Sequence, residues 1–169
     1  ATPPSQLKDK KSVTDSIIDS VRTHIAEYGT VPELRFCGHG STNMLRFGKG
    51  KDAVFLNTGT IITAIQDLQN ELGKKIAEKI TFQGCNTFTN MSPESVDFYR
   101  KASKNLGAEL IGTINDMGKT DVTGFESLPY ISFKDGEVGR FTSDISPYMA
   151  LAELVIPAKK VFDALIMGY

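Results

Sequence analysis

Apolar residues recur at helical spacing in several stretches of this chain, and short, almost continuous apolar runs lie between those stretches. A first helix is predicted from Ser12, and the apolar residues that share one face of it are Val13, Ile17, Ile18, Val21 and Ile25. Gly29 and Pro32 are typical of the end of such a helix. Residues 1–11 are polar and carry lysines, and we expect this segment to be loose.

Two of the apolar runs end at glycines, and each leads to one reactive side chain. Residues 34–37 are predicted to form a buried strand that continues into Gly38-His39-Gly40. Residues 80–83 are predicted to form a second strand that continues into Gly84-Cys85-Asn86. One imidazole and one thiol therefore follow directly after two predicted strands.

Capping signals mark two further helices. The first has an apolar face made of Ile61, Ile62, Ile65, Leu68 and Leu72. Thr58 or Thr60 can cap this helix, and Gly73 marks its end or a kink. The second opens at Ser92-Pro93-Glu94, with serine as the cap and proline at the first helical position, and ends at Gly107.

The remaining patterns predict strands and a last helical segment. Residues 44–47 and 53–56 indicate a hairpin, and residues 108–114 a third core strand. Residues 130–133 and 138–141 indicate a second hairpin, whose turn is Asp135-Gly136. Ser146-Pro147 opens a helical stretch through Leu165, which Pro157 should kink or split.

Helices that alternate with buried strands favour an α/β fold with a mainly parallel sheet flanked by helices. We expect a single domain over residues 12–169, with a β-hairpin and a C-terminal helical segment added to the sheet. In such sheets, binding and chemistry concentrate beyond the carboxyl ends of the strands. His39 and Cys85 are both predicted to lie at such ends, so we expect them at one edge of the sheet.

Composition narrows the functional classes only slightly. The chain is 40% hydrophobic and 23% charged, which is ordinary for a soluble globular protein. Its net charge of -1 gives no overall basic field, and we expect no nucleic-acid partner. No apolar run approaches the roughly 18 residues that span a bilayer. The two cysteines end strand-like runs instead of forming a dense disulfide framework, so reduced thiols are expected. We also expect a monomer.

A thiol and an imidazole at neighbouring strand ends are the parts of a nucleophilic site. A cysteine attacks a carbonyl as its thiolate, and a nearby histidine can take the proton or stabilise the charge. Flanking glycines let a substrate backbone approach closely. The backbone N–H of Cys85, together with one near Gly38 or Gly40, can form an oxyanion hole, and Gly40 is the candidate that we select.

Either residue alone has a plainer explanation, because single cysteines are commonly buried for packing and single histidines are commonly just hydrogen-bonded. The pair is more informative, since 46 residues separate His39 from Cys85 and about 50 separate the two in caspases. Cys37 points away from Phe36 on the same strand and is expected to pack in the interior. Cys37, His39 and Cys85 include no closely spaced ligand pair, so no metal site is predicted.

The segments Phe36-Cys37-Gly38-His39-Gly40 and Phe82-Gln83-Gly84-Cys85-Asn86-Thr87-Phe88 resemble the two signature segments of caspase-like (clan CD) cysteine peptidases. The likeness is in particular to the autoprocessing cysteine protease domains of the large clostridial glucosylating toxins and the MARTX toxins. It covers about residues 34–116. The resemblance implies a caspase-like fold, with Cys85 as nucleophile and His39 as general base or charge stabiliser.

The same resemblance implies a bacterial toxin or effector that is secreted, acts in the host cytosol, and cleaves itself or a host polypeptide. It implies no cofactor for the chemistry, but inositol hexakisphosphate as an activator that binds a basic cleft. The candidates for such a polyanion site are Lys49, Lys51, Lys74, Lys75 and Lys79. The C-terminal part, where the toxins keep much of their basic set, is net acidic in this chain.

The chain also departs from the toxins around the histidine. They carry an upstream aspartate that orients it, whereas Asp9, Asp15 and Asp19 lie outside any matching motif, so a Cys–His dyad is expected. Two alternatives to a peptidase use the same residues. One is a cysteine-dependent acyl transferase or deamidase, and the other is a caspase-like binding module whose dyad is idle.

Overall fold

The structure is a computed structural model, and it describes residues 9–48, 51, 53–114 and 129–142. This part of the chain forms three helices and eight strands. In chain order they are α1 (Lys10–Tyr28), β1 (Val31–Cys37), β2 (Gly40–Ser41), β3 (Met44–Phe47), β4 (Val54–Asn57), α2 (Thr58–Leu72), β5 (Ala77–Gln83), α3 (Pro93–Leu106), β6 (Glu109–Thr113), β7 (Pro129–Lys134) and β8 (Glu137–Thr142).

Five strands form the central sheet in the order β1-β5-β6-β7-β8. Strands β1, β5 and β6 are parallel, and the β7–β8 hairpin continues the sheet in antiparallel pairing. The predicted α/β class, with a mainly parallel sheet flanked by helices and extended by a hairpin, is therefore confirmed. Strands β2, β3 and β4 form a separate antiparallel sheet, which branches off directly after β1.

The two faces of the central sheet differ in chemistry. One face carries large apolar side chains that share a single core with the three helices: Leu34, Phe36, Ile80, Phe82, Leu110 and Phe133. The other face carries a buried polar group, Glu33, Arg35, Thr81 and Gln83. The helical stretch predicted from Ser146 to Leu165, with its kink at Pro157, lies outside the described residues.

Two helix starts differ from the prediction. α1 begins at Lys10 because the Asp9 side chain caps it, accepting from the Ser12 N–H at 2.8 Å. The predicted start at Ser12 is therefore two residues late. α2 is capped by Asn57, whose side-chain oxygen accepts from the Gly59 N–H at 2.7 Å, so the predicted threonine caps are wrong. Asparagine is among the strongest N-cap residues because its short side chain reaches the open N–H groups of the first turn.

Several local signals are confirmed. Ser92 caps α3, and Gly73 and Gly107 end α2 and α3 in the left-handed conformation. Asp135 and Gly136 have φ angles of 52° and 81°, which suits the tight turn of a two-residue hairpin. β1 begins at Val31, earlier than predicted, and includes a proline that an edge strand tolerates.

Candidate active site

The two predicted site loops leave the sheet side by side. Cys37 and Gln83 form the last register pair of β1 and β5, and the Gly38 N–H still donates to the Gln83 carbonyl oxygen at 3.1 Å. His39 and Cys85 each lie two residues beyond that pair. The parallel register therefore brings the two residues to equivalent positions at one edge of the sheet.

Glycines bring the two loops into backbone contact. A Cβ atom built on Gly40 would lie 2.2 Å from the carbonyl oxygen of Cys85 and 2.5 Å from its nitrogen. A Cβ atom on Gly84 would lie 2.8 Å from the carbonyl oxygen of Gly38 and 2.6 Å from the Leu45 side chain. No other residue type fits at either position without displacing backbone, so the Gly-His-Gly and Gly-Cys segments interlock.

Solvent can reach this edge of the sheet. His39 is exposed and Cys85 is partly exposed, whereas Cys37 is only 3% exposed. Neither cysteine is in a disulfide. The prediction that Cys37 packs in the interior is confirmed, and Cys85 is the more exposed of the two thiols.

Two threonines hold the turn that follows Cys85. The Thr87 hydroxyl donates to the Phe82 carbonyl oxygen at 3.0 Å and accepts from the Thr113 N–H at 2.9 Å. The Thr113 hydroxyl in turn donates to the carbonyl oxygen of Gly84, the residue before the cysteine. The end of β6 therefore fixes the backbone on both sides of Cys85.

The turn between β2 and β3 holds the same segment from the other side. The Asn43 N–H donates to the Asn86 carbonyl oxygen at 3.0 Å, and the Asn43 carbonyl oxygen accepts from the Thr58 N–H at 3.0 Å. The Thr58 hydroxyl is bonded to the phenol of Tyr99 on α3. Asn86 has a positive φ of 56°, which asparagine tolerates better than most residues.

Gly40, one of the two predicted oxyanion donors, lies on the edge strand of the small sheet. The Arg46 N–H donates to the His39 carbonyl oxygen at 2.8 Å, which makes the neighbouring Gly40–Leu45 pair a non-hydrogen-bonded pair of the antiparallel ladder. In such a pair the N–H group points away from the partner strand. The Gly40 N–H therefore points off the edge of the small sheet, next to the backbone of Cys85.

The predicted lysines fall in two separate stretches of the chain. Lys51 is exposed and lies between β3 and β4, while Lys49 lies outside the described residues. Lys74 is exposed just after α2, Lys75 follows it, and Lys79 lies within β5.

Carboxylates accompany two of these lysines. Lys75 Nζ lies 2.6 Å from a Glu78 carboxylate oxygen, and Lys79 Nζ lies 3.9 Å from Glu109. Burial lowers the pKa of Lys79, and the Glu109 carboxylate opposes that shift. The charge that these two lysines could offer a polyanion is therefore partly neutralised within the protein.

All three aspartates that precede His39 make their contacts with residues of α1. Asp9 caps the helix, and Asp15 and Asp19 form ion pairs with basic residues of the same helix at 3.1 and 2.5 Å. None of these three contacts involves His39.

The sequence prediction misses Gln83 and Thr113 as parts of the site. Both lie at strand ends on the polar face of the sheet, and both are almost fully buried. A usable signal is the polar residue at every second position of an otherwise apolar strand, as at Thr81 and Gln83. Such alternation indicates that the second face carries buried hydrogen-bonding groups.

Comparisons with protein-family models, with curated proteins and with solved structures find no match to this chain. Among the described helices, none is both long and apolar enough to cross a membrane. In the same part of the chain, histidine, cysteine and acidic side chains form no group of three that could hold a metal ion.

Proposed function

We propose that this chain is a caspase-like cysteine endopeptidase with Cys85 as the nucleophile and His39 as its general base. The observation that carries the proposal is the backbone interlock at the sheet edge, where Gly40 packs against the main chain of Cys85. That contact and the parallel register fix the thiol-bearing and imidazole-bearing segments relative to each other. Rigid placement of this kind is what a nucleophile and its base require.

The proposed reaction is hydrolysis of a peptide bond in two steps. The imidazole of His39 takes the thiol proton, and the Cys85 sulfur attacks the carbonyl carbon. The oxygen of the tetrahedral intermediate faces the N–H groups of Gly40 and Cys85, and His39 returns the proton to the departing amine. Water then attacks the thioester with His39 as base, which releases the new carboxylate and restores the thiol.

The biological setting of the proposal rests on the resemblance to toxin protease domains. It is a secreted bacterial toxin or effector that processes itself or a host polypeptide in the host cytosol. Inositol hexakisphosphate is the proposed activator and the lysines on both sides of α2 are its proposed contacts. The carboxylates beside Lys75 and Lys79 weaken that part of the proposal, because a polyanion has to compete with them.

The test uses peptide acyloxymethyl ketones, which label an activated cysteine covalently. The probe series is incubated with the protein, with and without inositol hexakisphosphate, and the labelled residue is mapped by mass spectrometry. We expect labelling of Cys85 alone, and we expect His39→Ala to slow it by about 10²–10⁴-fold, the usual contribution of a general base. Cleavage of a peptide library should be lost in Cys85→Ala, with the melting temperature kept.

Cys37→Ser is the matched control, because the serine hydroxyl can still donate where the thiol donates and the second sulfur is removed. This variant should keep both labelling and cleavage. Slow labelling of Cys85 at the rate of an ordinary thiol, under both conditions, would reject the proposal and favour an idle binding module. Intact-mass analysis of the products distinguishes hydrolysis from acyl transfer or deamidation.

A further inference from the structure

Gln83 connects the two strands that carry the candidate site. Its side-chain oxygen accepts from Arg35 Nη1 at 3.1 Å and from the Cys37 thiol at 3.4 Å, both on β1. Its main-chain oxygen accepts from the Gly38 N–H at 3.1 Å. The last residue of β5 is therefore bonded to the end of β1 through both its side chain and its backbone.

The guanidinium that holds Gln83 is itself fixed. Arg35 donates through Nε to the Glu33 carboxylate at 2.9 Å and lies 2.8 Å from the same oxygen through Nη2. The other Glu33 oxygen accepts from the Thr81 hydroxyl at 3.0 Å. All four side chains are at most 5% exposed. A buried charged network tolerates few arrangements, because each broken bond leaves a polar group without water.

This network ends at the site. Gln83 lies two residues before Cys85, and its thiol partner Cys37 lies two residues before His39. All of the network residues lie on one face of the sheet, since residues at every second position of a strand share a face. Within this network, the side-chain bonds of Gln83 are therefore the last contacts between β1 and β5 before the two strands end.

We propose that Gln83 is a positioning residue, which sets the separation of the His39 and Cys85 segments by binding Arg35 and Cys37 across the two strands. The catalytic consequence rests on the function proposed above. The contact between the strands, which is the set of bonds from Arg35 and Cys37 to the Gln83 side chain and is called the lock below, is independent of that function. Removing the amide oxygen should let the strand ends separate, and replacing it with another acceptor should keep them together.

Three variants test this lock. Gln83→Leu keeps the approximate volume and removes the acceptor, while Gln83→Glu keeps an acceptor for Arg35 and Cys37. Thr81→Val is the matched control, because it removes one bond from the same buried network two register pairs farther from the site. Each variant is measured by amide hydrogen exchange at Gly38, by the alkylation rate of Cys85, by kcat and KM on the peptide library, and by thermal unfolding.

We expect Gln83→Leu to accelerate Gly38 exchange at least tenfold, to slow Cys85 alkylation at least tenfold, and to lower kcat more than it raises KM. Gln83→Glu and Thr81→Val should each keep the Gly38 exchange rate, the Cys85 alkylation rate, kcat and KM within about threefold of the parent protein. For Thr81→Val this should hold even if the melting temperature falls as much as in Gln83→Leu. Equal effects of Gln83→Leu and Thr81→Val at matched melting temperature would overturn the proposal. A parent protein that is inactive both with and without inositol hexakisphosphate would reject the peptidase, while the Gly38 exchange rate still tests the contact that Gln83 makes between the strands.

Discussion

Gly40→Ala is the substitution whose effect the structure specifies most closely. The added Cβ would lie 2.2 Å from the Cys85 carbonyl oxygen and 2.5 Å from its nitrogen. Ordinary van der Waals contacts of a Cβ atom are 3.4–4 Å, so the two backbones have to separate by about 1 Å. The obstructing atoms are main chain, which no rotamer change can move. Overpacking of this kind destabilises a protein by about 1 to 3 kcal/mol.

A loss of catalysis should accompany the loss of stability. A misplacement of about 1 Å can lower a rate by about 100-fold, and alanine keeps the N–H group, so the loss reports position and not a deleted donor. The assay is cleavage and Cys85 labelling, together with thermal unfolding to confirm a folded variant. Gly29→Ala is the control: its φ of 76° strains an alanine, yet no atom lies within 4 Å of the new Cβ. Full activity in a folded Gly40→Ala protein would refute the interlock of the two loops.

Two further substitutions test the supports of the site. Thr113→Val removes the hydroxyl that donates to the Gly84 carbonyl oxygen. It should lower the unfolding free energy, measured by urea titration, by about 1–3 kcal/mol and should reduce cleavage. An unchanged unfolding free energy and cleavage rate would contradict the role of Thr113 in holding the backbone beside Cys85. Burial raises the pKa of Tyr99 to about 12, against about 10 when unfolded. A raised pKa means that the folded state holds the proton more tightly. The stability from this group is therefore complete below about pH 10 and is lost as the pH rises through about 12, by at most about 3 kcal/mol. Tyr99→Phe should flatten this alkaline loss in urea midpoints measured across that range, and an unchanged slope would contradict the assignment.

Features that depend on neighbouring residues alone are predictable from this sequence. Ser92 and Gly107 delimit α3, because a serine cap and a left-handed glycine satisfy the helix ends locally. The placement of His39 and Cys85 is also predictable in outline. Parallel strands carry their carboxyl ends to one edge, so any residue just after such a strand arrives there.

Features that depend on partners far along the chain are not predictable in the same way. β2 is only two residues long, and it forms because Gly40 and Ser41 pair with Leu45 and Met44. Nothing in its own composition distinguishes it from a loop. The role of Gln83 depends on Arg35, which is 48 residues away in sequence and adjacent only once the strands align.

The contrast between the two cysteines follows from where each strand stops. Cys37 still lies within the ladder, paired with Gln83, so its sulfur is buried at 3% exposure and hydrogen-bonded across the sheet. Cys85 lies two residues past the end of β5, where Gly84 has ended the strand and the chain turns away. A thiol inside the ladder contributes packing and a bond to its neighbour, and a substrate carbonyl cannot reach it. A thiol just beyond the ladder keeps the rigidity of the strand behind it and has solvent in front of it, which is the combination that a nucleophile needs.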